Sequence, residues 1–226
     1  VVVAGYRMIK IDTVDSRPVS GAILRCLVEQ VADTRAGAAA VFSDFRHGVF
    51  HGHSIPELIA AIPAGCLRAA DSQVASRWGN ICDFQGFDLI TPNEREARFA
   101  MGDQDSGVRS LAARLTDKAE ARWLLMKLGP RGVLGFAEDA SRQAGEQDQS
   151  FALGSYAGAV VDPVGAGDAF LAYAVLSLLA RPGCLAAAAV LGSFAAGAAC
   201  AYDGNVPVAP ECVLAKIDEA EKEIRQ

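Results

Sequence analysis

With 226 residues, 51% of them hydrophobic, the chain can bury the core of one α/β domain, or of one domain with a small appendage. Its 21 basic and 27 acidic side chains leave a net charge of −6, which argues against a general nucleic-acid or anionic-membrane binder, because such proteins carry a basic stripe. No run approaches the ~18 consecutive apolar residues of a membrane span, and the opening VVVAGYRMIK lacks the charged-then-apolar order of a signal peptide.

A cytoplasmic location is therefore expected. The six cysteines form no CxxC pair, which removes zinc-ribbon and thioredoxin-like readings. Five of the six adjoin apolar residues, so buried, reduced thiols are expected.

In chain order, residues 1–15 read as an extended strand. The chain opens on Val1 as if in mid-strand, so a further segment is expected to precede it in the parent protein. SGAILRCLVEQVADT (20–34) has helical spacing and AAAVFSDF (38–45) reads as a strand. His47, His51 and His53 follow in HGVFHGH, but glycines interrupt the stretch, so a polar loop is favoured over a metal site. Ser54 with Glu57 marks a capping-box start for the helix SIPELIAAI (54–62).

GCLRAADSQ (65–73) and FDLITPN (87–93) read as strands, NEREARFAM (93–101) and VRSLAARLTD (108–117) as helices, and RWLLMKLG (122–129) and GVLGFAE (132–138) as strands again. The polar stretch within 134–153 fits a hairpin tip. Three helices, 167–180, 185–201 and 210–225, follow a β-like run that ends at VVD (160–162).

Most strand runs are nearly continuous in hydrophobicity, as parallel strands covered on both faces require. Their alternation with helices across short links predicts one α/β domain, 1–226, built on a doubly wound, mostly parallel sheet with helices on both faces.

P-loop, GxGxxG, GxSxG and HExxH motifs are all absent. DPVGAGDAF (162–170) instead places Gly165, Ala166 and Gly167 where a helix begins. Successive N–H groups at the positive end of a helix suit a phosphate, and glycine lets it approach without a Cβ in the way. A carboxylate there, Asp168, is a poor phosphate ligand; it suits taking a proton from an attacking hydroxyl. Taken alone, the stretch is served equally well by a helix cap with a first-turn aspartate.

Two other strand ends add to it. TPNEREA (91–97) supplies Asn93 and Glu96, and KLGPRG (127–132) supplies Lys127 and a glycine turn. An amide, a carboxylate, an ammonium and an anion cradle at strand carboxyl ends would hold a nucleoside triphosphate with Mg²⁺.

These three motifs together resemble those of the ribokinase-like (PfkB) carbohydrate kinases: the DPVGAGDAF signature, the NxxE motif in TPNEREA, and the Lys/Thr-x-Gly-x-x-Gly turn in KLGPRG. SDFRHG (43–48) resembles the Ser-Asp-Tyr-x-x-Gly stretch of the bacterial heptose-phosphate kinase branch, and the opening VVVAGYRMIKID resembles its lid strand.

The resemblance implies that Asp168 is the catalytic base and that the amides of Gly165, Ala166 and Gly167 form the anion hole. It implies that Asn93 and Glu96 organise Mg²⁺ and its waters, and that Lys127 and Gly129, with Gly132 in the same turn, meet the phosphates of ATP. Asp162 would order its loop, in a region that holds a monovalent cation in some members. Ala195 and Gly197, in the small-residue helix 186–200, would border adenine, although close helix–sheet packing explains them as well.

Asp44 would bind the sugar or its phosphate, a strand-end turn aspartate being the alternative. Asp71, the second residue that the resemblance implies for substrate binding, lies where relatives carry Asp-Pro-Lys; Ser72 and Gln73 replace that pair, and His47 replaces a commoner lysine. The family's glycine-rich sugar-binding segment is almost wholly missing, leaving a reduced lid at 1–15. A small sugar or sugar phosphate is the expected partner, and because the lid strands of family members often pair across a two-fold axis, the resemblance implies a homodimer. The alternatives are a nucleotide-binding module without catalysis, or a vitamin or nucleoside kinase of the same fold.

Overall fold

The computed structural model describes residues 2–3, 6–7, 17–74, 79–137 and 149–225. In chain order these form β1 (Val2–Val3), β2 (Tyr6–Arg7), α1 (Gly21–Ala32), β3 (Ala39–Asp44), α2 (Ser54–Ala61) and β4 (Leu67–Ser72). Then come β5 (Leu89–Ile90), α3 (Glu94–Met101), α4 (Val108–Lys118), β6 (Trp123–Lys127), β7 (Val133–Ala137) and β8 (Gln149–Leu153). Three helices close the chain: α5 (Ala166–Ala180), α6 (Leu185–Ala199) and α7 (Pro210–Ile224). Short 3₁₀ turns lie at Ile81–Asp83 and Gly129–Arg131.

β1 and β2 pair antiparallel; the rest of the opening segment expected as a lid lies outside the described residues. The other six strands make one sheet in the order β3-β4-β5-β6-β7-β8. β3 through β6 are parallel, whereas β6–β7 and β7–β8 are antiparallel; the hairpin tip expected within 134–153 falls on residues outside those described. Helices cover both faces, as the alternation predicts; that the strands lie in simple chain order was not readable from it.

The period-2 alternation of a strand divides the core in two. Leu124 and Met126 of β6 join Leu24, Ile55, Leu58, Leu111 and Leu115 from α1, α2 and α4. Trp123 and Leu125, their neighbours in sequence, face Phe170, Leu171, Leu178 and Ala188 of α5 and α6. The two closing helices cross tightly: a Cβ on Gly192 would stand 2.9 Å from the Phe170 carbonyl oxygen.

Three local expectations are corrected. Residues 155–163 contain no strand; β8 ends the sheet at Leu153, and Val160 and Val161 are exposed, so the apolar run before the glycine turn meets solvent. Ser54 forms no capping box: it is the first residue of α2, its Oγ donates to the Val49 carbonyl (2.6 Å) and accepts the His51 N–H (3.0 Å), and Glu57 instead faces His53 at 3.3 Å. Of the cysteines only Cys66 and Cys200 are buried, and Cys26 is exposed, because apolar neighbours along a helix do not share its face.

Candidate active site

Strand register decides which side chains can meet. β3 and β4 pair Ser43 with Asp71 and Asp44 with Ser72. Adjacent residues on a strand point to opposite faces, so Ser43 and Asp71 look toward α5 while Asp44 and Ser72 look away. α5 begins above the first pair. The Ser43 Oγ donates to Asp168 Oδ1 (3.3 Å), and Lys127, at the end of β6, places its Nζ 2.6 Å from Asp71 Oδ2. Gly167 completes the cluster: a Cβ there would lie 3.2 Å from Lys127 Nζ and 3.9 Å from Asp71 Oδ2, so a larger residue would press on the ammonium.

Burial holds the Asp168 carboxyl above the ordinary carboxylate range; the Ser43 hydrogen bond opposes this, Asp71 adds to it, and Lys127 opposes it. Glu96 is raised for the same leading reason, burial, with Lys127 pulling it down and Asp71 pushing it up. One ammonium thus serves the field of three carboxylates.

Asn93 and Glu96 form a reciprocal capping box at the start of α3. The Asn93 side chain accepts the Glu96 N–H (2.8 Å), and the Glu96 carboxylate accepts the Asn93 N–H (2.7 Å). Because Asn93 also bridges to Lys127 of β6, this cap places Glu96 beside the ammonium.

The glycine turn is held by Asp162, which is buried and accepts the N–H groups of Val164 (3.1 Å) and Gly204 (2.9 Å). Gly165 caps α5 with φ of +82°, and any Cβ on it would collide with the Asn205 side chain. The Ala166 N–H donates to the Pro163 carbonyl (3.2 Å), whereas the amides of Gly165 and Gly167 have no backbone acceptor among the described residues. Of the three amides expected to bind an anion, two are available.

The other expected residues are placed as follows. Gly129 has φ of +60° and open space above it; Gly132 has φ of +88°, and a Cβ there would also strike the Leu153 carbonyl. Ala195 is wholly buried, and a Cβ on Gly197 would stand 2.8 Å from the Tyr156 carbonyl oxygen, whose ring stacks on Phe194 at 4.3 Å, so both positions serve close packing.

Asp44 is committed elsewhere. It accepts the Arg46 N–H (2.7 Å), its Oδ2 lies 3.0 Å from Arg46 Nε, and Ser72 donates to it (3.3 Å). Asp44 and Arg46 are both buried on the sheet face opposite Asp168, and the guanidinium also reaches Ser72 (2.6 Å) and Asp83 (3.4 Å). Ser43 and Arg46 were missed from sequence; Asp71 and Lys127 were each expected in the site, but not their ion pair. Alternation along SDF was the available signal, but it required the register with β4.

Among the described residues no three His, Cys, Asp or Glu side chains surround a common point. Glu96 and Asp162, both expected near a cation, belong to separate clusters. Mg²⁺ takes one or two carboxylates and shares the rest of its shell with water and phosphate, so the buried Glu96 fits that ion without a protein cage. His51 Nδ1 accepts the N–H groups of His53 (3.3 Å) and Ser54 (3.4 Å), which orders the loop.

Parallel strands that carry Asp71 and Lys127 at their carboxyl ends, beside the N-terminus of a helix that bears Asp168, define an α/β fold with its polar cluster at the sheet edge. The chain belongs to the pfkB family of carbohydrate kinases, whose profile matches residues 54–212. It is 27% identical over 219 residues to the bifunctional protein HldE of Pelobacter propionicus, which covers 95% of this chain and 42% of that protein. Among solved structures, phosphofructokinase-2 from Escherichia coli in complex with potassium superposes with a TM-score of 0.72 at 21% identity, covering 89% of this chain and 63% of that one. Ribokinase from Giardia lamblia superposes at 0.66 with 18% identity, covering 91% and 64%. The chain therefore spans less than two thirds of the length of these relatives.

Proposed function

We propose that the chain is an ATP-dependent phosphotransferase acting on a hydroxyl of a sugar or sugar phosphate, with 1–226 as one cytoplasmic kinase domain. The observation that carries this is the convergence of Ser43, Asp71, Lys127 and Asp168, from four separate elements, at the N-terminus of α5. Asp168 takes the proton of the sugar hydroxyl, whose oxygen bonds to the γ-phosphorus as the bond to the ADP oxygen breaks. The Gly165 and Gly167 amides, at the positive helix end, stabilise charge spreading over the phosphoryl oxygens. Lys127 exchanges Asp71 for phosphate oxygens.

When bound, Mg²⁺ would neutralise phosphate charge, and Glu96 is the residue that would hold it through its waters. Potassium in the phosphofructokinase-2 complex supports a monovalent cation near the Asp162 turn. Likeness of residues 43–48 to the heptose-phosphate branch puts that class first among sugars, and a homodimer joined through the opening strands belongs to the same proposal.

The test is ADP release with Mg²⁺, ATP and a panel of sugars and sugar phosphates. Asp168→Asn is expected to bind an ATP analogue normally and to turn over about 10²–10⁴-fold more slowly; wild-type turnover by that variant removes the assignment. The same assay separates a second reading, a nucleotide-binding module of the same fold without catalysis. In that case ATP binds and no acceptor releases ADP.

A further inference from the structure

Resting on Asp168 as the base, we propose that Ser43 is its positioning residue. The hydroxyl, carried on β3, holds one carboxylate oxygen so that the other faces the incoming alcohol.

The geometry is specific. Ser43 and Asp168 are 125 residues apart in sequence, yet the Ser43 Oγ donates to Oδ1 at 3.3 Å, while Oδ2 takes no hydrogen bond among the described residues. Ser43 owes its direction to strand parity, since its register partner Asp71 is on the same face and both Asp44 and Ser72 are on the other. The two oxygens of Asp168 are thereby made unequal: Oδ1 is occupied, and Oδ2 is the one left to receive a proton.

In the transfer step the acceptor's proton goes to Oδ2, the acceptor oxygen bonds to phosphorus, and the ADP oxygen leaves; the Ser43 proton stays on Oγ. The charged groups that face Asp168 are Asp71 from β4 and Lys127 from β6. They set its charge balance from the side, whereas Ser43 acts on one atom from below.

A hydroxyl that donates to a carboxylate favours the ionised form, so its loss raises the Asp168 midpoint and frees the carboxyl to rotate. The experiment follows Asp carboxyl ¹³C resonances of the whole chain against pH in wild type, Ser43→Ala and Ser43→Thr, with Asp168→Asn assigning the Asp168 signal. It is paired with ADP-release kinetics. Ser43→Ala is expected to move the Asp168 midpoint and the acid limb of kcat upward by roughly one pH unit, and to lower kcat about tenfold with the KM for ATP unchanged. Ser43→Thr, which keeps the hydroxyl, restores both; Ser43→Cys, a poor donor of the same shape, substitutes for the alanine variant if that one does not fold.

An unmoved Asp168 midpoint in Ser43→Ala, or a loss that threonine does not restore, overturns the role of Ser43. The failure of the broader reading looks different: Asp168→Asn would then turn over like wild type, whatever the midpoint does.

Discussion

Asp168 occupies a costly place for a charge. It is partly buried, faces Asp71, and has its folded-state pKa raised above the ordinary value of about 3.9. Below that unfolded value both folded and unfolded chains carry the neutral acid, so the raised group costs nothing. Between the unfolded and folded values the unfolded chain ionises first, and stability falls as pH rises; above the folded value the full penalty persists. Asparagine keeps an oxygen for the Ser43 hydroxyl and removes the charge. Asp168→Asn is therefore expected to unfold at a higher temperature than wild type at pH 7, with the gain vanishing as pH falls toward ~4, when thermal unfolding is followed by circular dichroism. A lower midpoint for the variant at pH 7 would show that the carboxylate is net stabilised in place. Gly165 makes a second test at this scale. Its φ of +82° and the nearby Asn205 side chain leave no room for a Cβ, so Gly165→Ala is expected to lose roughly 1–3 kcal/mol in urea unfolding and to weaken ATP-analogue binding together with it.

At the scale of the element, the NxxE pair has two jobs in one geometry. Asn93 and Glu96 fall within the helix expected over 93–101 and read as Mg²⁺ organisers only through resemblance; their cap emerges from the structure. The reciprocal bonds at 2.7 and 2.8 Å establish it. Asn93→Ala should cost about 1 kcal/mol of stability by loss of the cap, and Asn93→Asp should recover most of it, measured by urea unfolding without nucleotide. A role confined to magnesium would leave that unfolding unchanged.

The same scale shows where sequence reading stops. Apolar runs identified β3, β4, β6 and β7; in β6 and β7 the run is nearly continuous because both faces are buried, whereas β3, at the sheet edge, alternates between buried and more exposed residues. The VV run at 160–161 misled, since its strand-like residues face solvent beside a loop that Asp162 ties to Gly204. Asp44 misled for a different reason. It ends the right strand but on the wrong face, and only register with β4 separates it from Ser43. Glycine in α6 was open to two explanations, and the contact of Gly197 with the Tyr156 carbonyl supports packing.

At the scale of the whole molecule, the proposed site has no existence in any fragment. Ser43, Asp71, Lys127 and Asp168 come from β3, β4, β6 and α5, and only the completed sheet with α5 laid across it brings them together. Ligand binding and folding are then linked, because the unfolded chain offers no competing site. A non-hydrolysable ATP analogue with Mg²⁺ at about 100 times its Kd should add about 2.7 kcal/mol to stability, which for a chain of this size raises the unfolding midpoint by roughly 5–10 °C. Lys127 should matter twice in that measurement. Its ammonium is largely buried against Asp71 at 2.6 Å, so Lys127→Met leaves a carboxylate without its cation and lowers the ligand-free midpoint. The same change removes the one ammonium in the cluster able to meet phosphate, so the rise with the analogue should shrink as well. A variant that loses stability but keeps the full ligand-induced rise would make Lys127 a structural counter-ion to Asp71 and place the phosphates elsewhere.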